Sequence, residues 1–172
     1  MFTNKPKLLS AAAIAAFLLG AGAASAADPQ CFTLASLQGN YAVVGNFGSN
    51  VAMALAAQNL DGNGNLTRSA IVNQPTTGST TGARTLTATR NTGTYTVNCD
   101  GTGVITRVVT QASGATSTVV DDFMITDAVM KHGIPVATTI VSAQQTPSVV
   151  VPGGIFVTFV HTRLPDRAGS AQ

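Results

Sequence analysis

Glutamate and tryptophan are absent from this chain of 172 residues, and all seven of its acidic residues are aspartate. Exposed helical surfaces are normally built from Glu, Lys, Gln and Ala, so a chain without glutamate is poorly suited to amphipathic helices. Threonine and valine dominate instead, as at residues 85–89 and 118–120. Because β-branched residues fit pleated, half-buried surfaces, the composition predicts an all-β domain. After residue 30, only residues 51–60 are rich enough in alanine to allow a short helix as an alternative.

Sequence motifs for catalysis and cofactor binding are also lacking. There is no GxSxG nucleophile elbow, no P-loop and no GxGxxG before a helix. His132 and His161 are the only histidines, whereas zinc requires three or four converging ligands. The sequence therefore predicts no metal and no cofactor. No run of aromatic and basic residues indicates a nucleic-acid partner.

The first 26 residues have the pattern of a cleaved signal peptide. Lys5 and Lys7 precede an uncharged run of small and apolar residues at 8–23, and Ala-Ser-Ala at 24–26 matches a signal-peptidase site. A membrane-spanning helix would need about 20 apolar residues, more than this run supplies. We expect a secreted or periplasmic protein with no membrane span after cleavage. Cleavage would remove Lys5 and Lys7 from the nine basic residues, and the seven that remain balance the seven aspartates, which disfavours nucleic acid and anionic membranes as partners.

Cys31 and Cys99 are the only cysteines. Two cysteines in an exported chain usually pair with each other, and neither a CxxC motif nor a neighbouring histidine indicates metal or redox use. The sequence therefore predicts a disulfide between the N-terminal segment and the middle of the domain. By the chain-entropy estimate, a loop of this length is worth about 4 kcal/mol.

Turn residues divide the rest of the chain into short alternating runs. These runs predict strands at residues 41–47, 51–59, 66–72, 83–90, 94–98, 103–110, 116–125, 135–142 and 154–163. Eight or nine short strands suit an antiparallel barrel or a sandwich. We predict a small antiparallel β-barrel of about eight strands within residues 27–165, followed by a disordered tail at 166–172.

The cluster Asp-Gly-Asn-Gly-Asn at 61–65 has two interpretations. Its acidic and amide residues match the first ligand positions of a calcium-binding EF-hand loop. However, Leu66 and Val72 stand where that loop requires Gly and Glu. We therefore interpret the cluster as a tight hairpin turn, in which Gly supplies positive φ and Asn or Asp tolerates the left-handed region.

Three stretches occur in an order that resembles a group of secreted bacterial proteins. They are SLQGNY at 36–41, DGNGN at 61–65 and GTYTVNCDGTG at 93–103. The group's pattern resembles SLxGxY, then DGxGN, then GTYTVxxxCxGT. The resemblance implies a small closed barrel, similar to lipocalin-like and allene oxide cyclase-like barrels, and implies no activity. The chain departs from enzymatic allene oxide cyclases by lacking glutamate, and from lipocalins by having Tyr41 where their GxW motif has Trp.

Four side chains are candidate ligand-binding residues. His161 and Arg163 lie two residues apart on the last predicted strand, so both point to one face. If that face is interior, they can bind a polar or anionic group of a ligand; if it is exterior, they are solvated surface residues. Tyr41 and Tyr95 each offer an apolar body with one polar tip, which suits the rim of a dry pocket.

Asp121 and Asp122 are adjacent on a predicted strand and therefore point to opposite faces. They cannot act as a close acid pair. We expect one of them to face the interior, towards Arg107 or Arg84, in a structural ion pair.

The predicted function is binding of a small, mainly apolar ligand, because the chain has few bulky residues to fill a barrel interior. A bulky substitution such as Ala88→Phe would test this if that face is interior. One alternative is a barrel enzyme of isomerase or cyclase type that uses an interior His161 or Asp122. The other is a structural or surface-assembly protein, for which a filled interior and an apolar outer patch would argue.

Overall fold

A computed structural model describes residues 31–48, 51–147 and 154–166. This part of the chain forms eight antiparallel strands that pair in chain order and close into a barrel through β1 and β8. The strands are β1 (Gly39–Phe47), β2 (Ala52–Leu60), β3 (Asn65–Pro75), β4 (Arg84–Val97), β5 (Thr102–Gln111), β6 (Thr116–Lys131), β7 (Ile134–Gln144) and β8 (Val157–Arg163). The predicted all-β barrel is confirmed. The signal sequence predicted at 1–26 and residues 167–172 of the predicted tail lie outside the described residues.

Each strand alternates between an interior and an exterior side chain. In β1, Tyr41 and Val43 are buried and Val44 is exposed. The alanine-rich segment follows the same period of two, since Ala52 and Ala54 are buried and Met53 and Leu55 are exposed. This segment is therefore strand β2 and not a helix, because a closed barrel wall needs a period of two.

Strand β4 corrects one prediction. Residues 83–90 and 94–98 were expected to be two strands joined by a turn at 91–93, but β4 runs without interruption through these positions. Gly93 does not have positive φ. A Cβ at Gly93 would lie 2.0 Å from the carbonyl oxygen of Thr106 on β5. Glycine is therefore needed here for close approach of two strands, a use of glycine that resembles a turn signal in sequence.

One end of the barrel is closed by the N-terminal segment. A 3₁₀ helix (Leu34–Leu37) lies against β7 and β4. Just before it, Cys31 forms a disulfide with Cys99 in the β4–β5 turn, and the backbone N–H of Phe32 donates to the carbonyl oxygen of Cys99 at 3.1 Å. The predicted pairing of the two cysteines is thus confirmed.

The hairpin between β2 and β3 lies at the same end. The Asp61 carboxylate accepts hydrogen bonds from the backbone N–H groups of Asn63 and Asn65, at 2.7 and 2.9 Å, and from the Asn65 side chain at 2.7 Å. These bonds lower the pKa of Asp61. Gly62 and Gly64 have positive φ. The cluster is therefore the hairpin turn that the sequence predicts.

The closed half of the barrel is filled by large side chains. Five of them are at most 1% exposed: Leu37, Tyr41, Leu60, Ile105 and Ile140. Burial of each such aliphatic side chain contributes roughly 1.5–3 kcal/mol. Most of the largest core side chains therefore lie towards one end of the barrel axis, while Val157 and Phe159 of β8 continue the same hydrophobic cluster towards the other end.

Candidate ligand site in the barrel interior

Among the described residues, the opposite end of the barrel is open and contains a cavity of about 390 Å³. Small-molecule sites commonly occupy about 300–1,000 Å³. The cavity lies among inward-facing side chains from several strands, many of them small. Its walls include Ala54, Ala56, Ala70, Thr87 and Val109. The space exists because these side chains are too short to reach the barrel axis.

Two arginines and one aromatic ring form the floor of this cavity. Arg68 on β3 and Arg107 on β5 line it together with Phe159 on β8. The central guanidinium carbons lie 5.1 and 5.2 Å from the centre of the Phe159 ring, within the range of cation–π attraction. Both arginines are at most 5% exposed.

Arg107 has an ionic partner. Its Nε and Nη2 atoms lie 2.8 and 2.6 Å from Oδ2 of Asp121, which is fully buried. Asp121 is therefore the interior member of the adjacent pair, and Arg107 is the partner it faces. The expectation that an enzyme could use an interior Asp122 is wrong, because Asp122 is exposed and accepts a hydrogen bond from Gln145 on the outside.

Arg68 has no carboxylate partner among the described residues. Its Nε donates to Oε1 of Gln58 at 2.7 Å, and its Nη2 donates to the same oxygen. Burial and the nearby charge of Arg107 lower the pKa of Arg68 to about 9. Arg68 is still cationic at neutral pH. Among the described residues, the floor therefore carries the positive charges of Arg68 and Arg107, with the buried carboxylate of Asp121 next to Arg107.

A directed chain of hydrogen bonds leads from Arg68 to His161. Since Arg68 occupies Oε1 of Gln58, the amide nitrogen of Gln58 faces Nδ1 of His161, at 3.4 Å. Nδ1 is thus the acceptor, and the ring proton is on Nε2, which donates to Oγ of Ser142 at 3.0 Å. Burial, together with the charges of Arg68 and Arg107, lowers the pKa of His161 well below its usual value, so the ring is neutral.

This direction matters for catalysis. In a Ser–His nucleophilic pair, the unprotonated histidine nitrogen faces the hydroxyl and removes its proton. Here the nitrogen that faces Ser142 carries the proton, and the other nitrogen accepts from Gln58. The arrangement therefore orients His161 as a donor to Ser142 and does not prepare Ser142 as a nucleophile.

The two predicted tyrosines lie at the closed end. The Tyr41 hydroxyl donates to the Ala137 carbonyl oxygen at 3.0 Å. The Tyr95 hydroxyl accepts from the Gly62 N–H at 2.9 Å and donates to the Leu34 carbonyl oxygen at 3.3 Å. Burial raises the pKa of both tyrosines. Their polar groups are satisfied within the protein, and a role in ligand binding stays a prediction.

His161 and Arg163 share the inward-facing side of β8. Arg163 donates to the Gln38 carbonyl oxygen and pairs with Asp166 at 3.0 Å. These contacts place Arg163 at the closed end, two residues beyond the His161 chain. The open cavity is lined by other residues, so the ligand-binding role of this pair also stays a prediction.

Sequence reasoning missed Arg68 and Gln58, although a signal for Arg68 exists. Leu66, Arg68, Ala70 and Val72 alternate along β3 and share one face. A lone arginine between apolar residues at positions two before and two after it indicates a buried charge. No comparable signal identifies Gln58, whose role depends on contacts with other strands.

Ala88 faces outward, so the condition under which Ala88→Phe would test the interior is not met. It lines a shallow outer groove with Val44, Leu55 and Ile71. The interior position on the neighbouring strand is Ala70, which lies opposite Thr89 in the register. Ala70 and Ala88 therefore form a matched pair of alanines on opposite sides of one wall.

Within residues 31–48, 51–147 and 154–166, no group of three or more His, Cys, Asp or Glu side chains is placed to hold a metal ion. The same residues contain no helix of sufficient length and apolar character to cross a membrane. Comparison of the chain with protein-family models, with curated proteins and with solved structures finds no match.

Proposed function

We propose that this protein is an exported carrier that binds a small ligand with an apolar body in the open half of the barrel. The observation that carries the proposal is the cavity of about 390 Å³ between the small side chains of the wall and the floor of Arg68, Arg107 and Phe159. Every strand around it is hydrogen-bonded on both sides, so the wall is held in place without a ligand.

The apolar wall supplies a driving force for such binding. Removal of apolar surface from water contributes about 25 cal/mol per Å², and Ala54, Ala56, Val72 and Val109 offer such surface to a ligand. Polar atoms are concentrated at the floor, where Arg68, Asn91 and Arg107 lie. This distribution suits a ligand with one apolar end and one polar end.

The two alternative functions receive less support. An enzyme would need converging groups prepared for proton transfer, whereas the neutral ring of His161 donates to Ser142. A purely structural barrel would be expected to fill its interior, as the closed end does with Leu37 and Ile105. The cavity in the open half of the interior therefore favours ligand binding over an enzymatic or a purely structural role.

The test is titration with a neutral fluorescent probe, N-phenylnaphthylamine, whose emission rises in an apolar environment. We expect saturable binding to the folded protein. Ala70→Phe should weaken binding by at least about tenfold, because the ring would occupy the cavity. Ala88→Phe is the matched control and should bind like the wild type.

Circular dichroism must show the same strand content for both variants. Equal binding by wild type and Ala70→Phe would contradict the proposal. Loss of binding in Ala88→Phe alone would place the probe in the outer groove and would also contradict it.

A further inference from the structure

The charge at the cavity floor is unbalanced around Arg68. This side chain lies below Ala70 and Val72 on the same face of β3, so the apolar wall leads down to it. It is 4% exposed. Its only hydrogen-bond acceptor among the described residues is Oε1 of Gln58, which is uncharged.

The available interior carboxylate is already engaged. Asp121 receives both hydrogen bonds from Arg107 through Oδ2. Asp122 and Asp127 face outward, so neither reaches the cavity. The charge of Asp121 also acts on Arg68, but one carboxylate cannot neutralise two arginines. A buried charge without its own counter-ion is costly, so a ligand that brings a negative charge would be stabilised beside Arg68.

A second observation concerns buried polar atoms at or near the cavity floor that have no hydrogen-bond partner. Asn91 lines the same cavity and is 4% exposed, and its Oδ1 atom is buried without a hydrogen-bond partner. Oδ1 of Asp121 is also buried without a partner. Native proteins rarely leave such atoms unsatisfied. Ordered water that bridges these acceptors to a bound polar group would satisfy them.

We infer that the ligand is an anionic amphiphile, a monocarboxylate with an aliphatic body, whose carboxylate pairs with Arg68 at the cavity floor while the body lies along the apolar wall. This inference rests on the proposed function and names its ligand class. Arg68 acts as the primary anion-binding residue, because Arg107 is neutralised by Asp121. The neutral His161 adds no charge, and its hydrogen-bond chain holds Gln58 so that Arg68 stays fixed.

The carboxylate–guanidinium pair would form away from bulk water, where charge-assisted hydrogen bonds are strongest. The Phe159 ring next to both arginines would cover the first part of the aliphatic body. Small inorganic or short-chain anions share the charge but not the body, so they should bind weakly. The affinity is therefore expected to depend on both ends of the ligand.

The experiment measures displacement of N-phenylnaphthylamine by decanoate, by decanol and by acetate at neutral pH. For the wild type we expect decanoate to bind roughly ten- to a hundredfold more tightly than decanol, the range given by one charge-assisted hydrogen-bonding group. Acetate should displace no probe at the same concentrations.

Variants at Arg68 assign the effect to this residue. Arg68→Met should reduce decanoate affinity to that of decanol and leave decanol affinity within about twofold, while Arg68→Lys should retain part of the preference. Arg90→Met is the matched control, because Arg90 is exposed on the neighbouring strand β4 and lies opposite Ser69. It should behave like the wild type.

The outcomes separate this inference from the proposed function. If the wild type binds the probe, and binds decanol and decanoate with equal affinity, the inference of an anionic ligand is wrong and the proposed carrier function stands. Failure of the wild type to bind the probe and both aliphatic ligands would overturn the carrier function itself. If Arg68→Met does not fold, the comparison within the wild type and the Arg68→Lys variant still decides the question.

Discussion

The two ends of this barrel are built from the same eight strands but differ in what fills them. At the closed end, Tyr41 and Ile105 belong to the hydrophobic core together with Leu37 of the 3₁₀ helix, and the disulfide holds the segment before this helix against the β4–β5 turn. At the open end, Ala70 and Thr87 leave the axis empty. Strand number and tilt fix the width of a barrel, so the size of the inward side chains decides whether a section is core or cavity. Most of the large core side chains and the cavity thereby lie in different sections of one barrel.

A charged layer marks the boundary between the two ends. Arg68 and Arg107 form the surface of this layer that faces the cavity. Asp121, His161 and Ser142 are buried within the layer. Towards the closed end, hydrogen bonds within the protein link Arg68 through Gln58 and His161 to Ser142. Towards the cavity, the charge of Arg68 has no carboxylate partner among the described residues. Three experiments test whether the closed end and the open end are independent in this way. They are given in order from the largest expected effect to the smallest.

Removal of the disulfide should produce the largest loss of stability. The bond closes a loop with a sequence separation of 68 residues, so its absence in Cys31→Ser/Cys99→Ser should lower the free energy of unfolding by about 4 kcal/mol. Urea denaturation followed by circular dichroism measures this. The affinity for N-phenylnaphthylamine in the remaining folded protein should be unchanged, and a weakened affinity would show that the ends are coupled.

Two substitutions on the same face of β5 compare core with cavity wall. Ile105→Ala removes a fully buried side chain and should cost about 3 kcal/mol. Val109→Ala, four residues further towards the mouth, should cost less than about 1 kcal/mol, because its side chain already borders open space. Equal losses in urea denaturation would contradict the division between the two ends.

Protonation of His161 in the charged layer should give the smallest of the three effects. It should be seen as a dependence of the free energy of unfolding on pH. The pKa of His161 is lowered by burial and by Arg68 and Arg107, so the unfolded chain binds a proton more readily than the folded one. The contribution of neutral His161 to the free energy of unfolding should be fully present above pH 6.5, the ordinary pKa of histidine. It should decrease as the pH falls below that value. The slope due to this group is at most about 1.4 kcal/mol per pH unit.

The variant His161→Gln isolates this contribution, since glutamine keeps hydrogen-bonding capacity without titrating. Thermal melts between neutral pH and mildly acidic pH should show a flatter dependence in the variant than in the wild type. His132, which is exposed in the β6–β7 turn, offers a matched control, and His132→Gln should retain the wild-type slope. Parallel slopes in wild type and His161→Gln would show that His161 does not carry the effect.

The features that sequence predicted correctly depend on local chemistry. The hairpin at 61–65 follows from the hydrogen bonds of Asp61 and the positive φ of two glycines. The disulfide follows from the presence of only two cysteines. Alternation of apolar residues predicted the barrel, because a strand that has one face inside must repeat every two residues. The resemblance to secreted barrel proteins stays a prediction.

The features that sequence missed depend on non-local contacts. Nothing within β4 distinguishes a glycine in a turn from one needed for close approach to Thr106. Likewise, the choice between Asp121 and Asp122 as the interior residue depends on the register with β5, where Ile105 lies opposite Asp121. The orientation of Gln58, and with it the protonated nitrogen of His161, is set by Arg68 from another strand.

The pairing of β1 with β8 has a consequence for the order of events during folding. Each other strand pairs with its immediate successor, so local hairpins can form as the chain emerges, whereas β1 keeps an unpaired edge until residues 157–163 arrive. The disulfide requires only residues 31–99. Oxidation of the two cysteines can therefore link the N-terminal segment to the β4–β5 turn before β8 pairs with β1 and closes the barrel. During that interval the exposed edge of β1 is the site at which a second nascent chain would compete with β8.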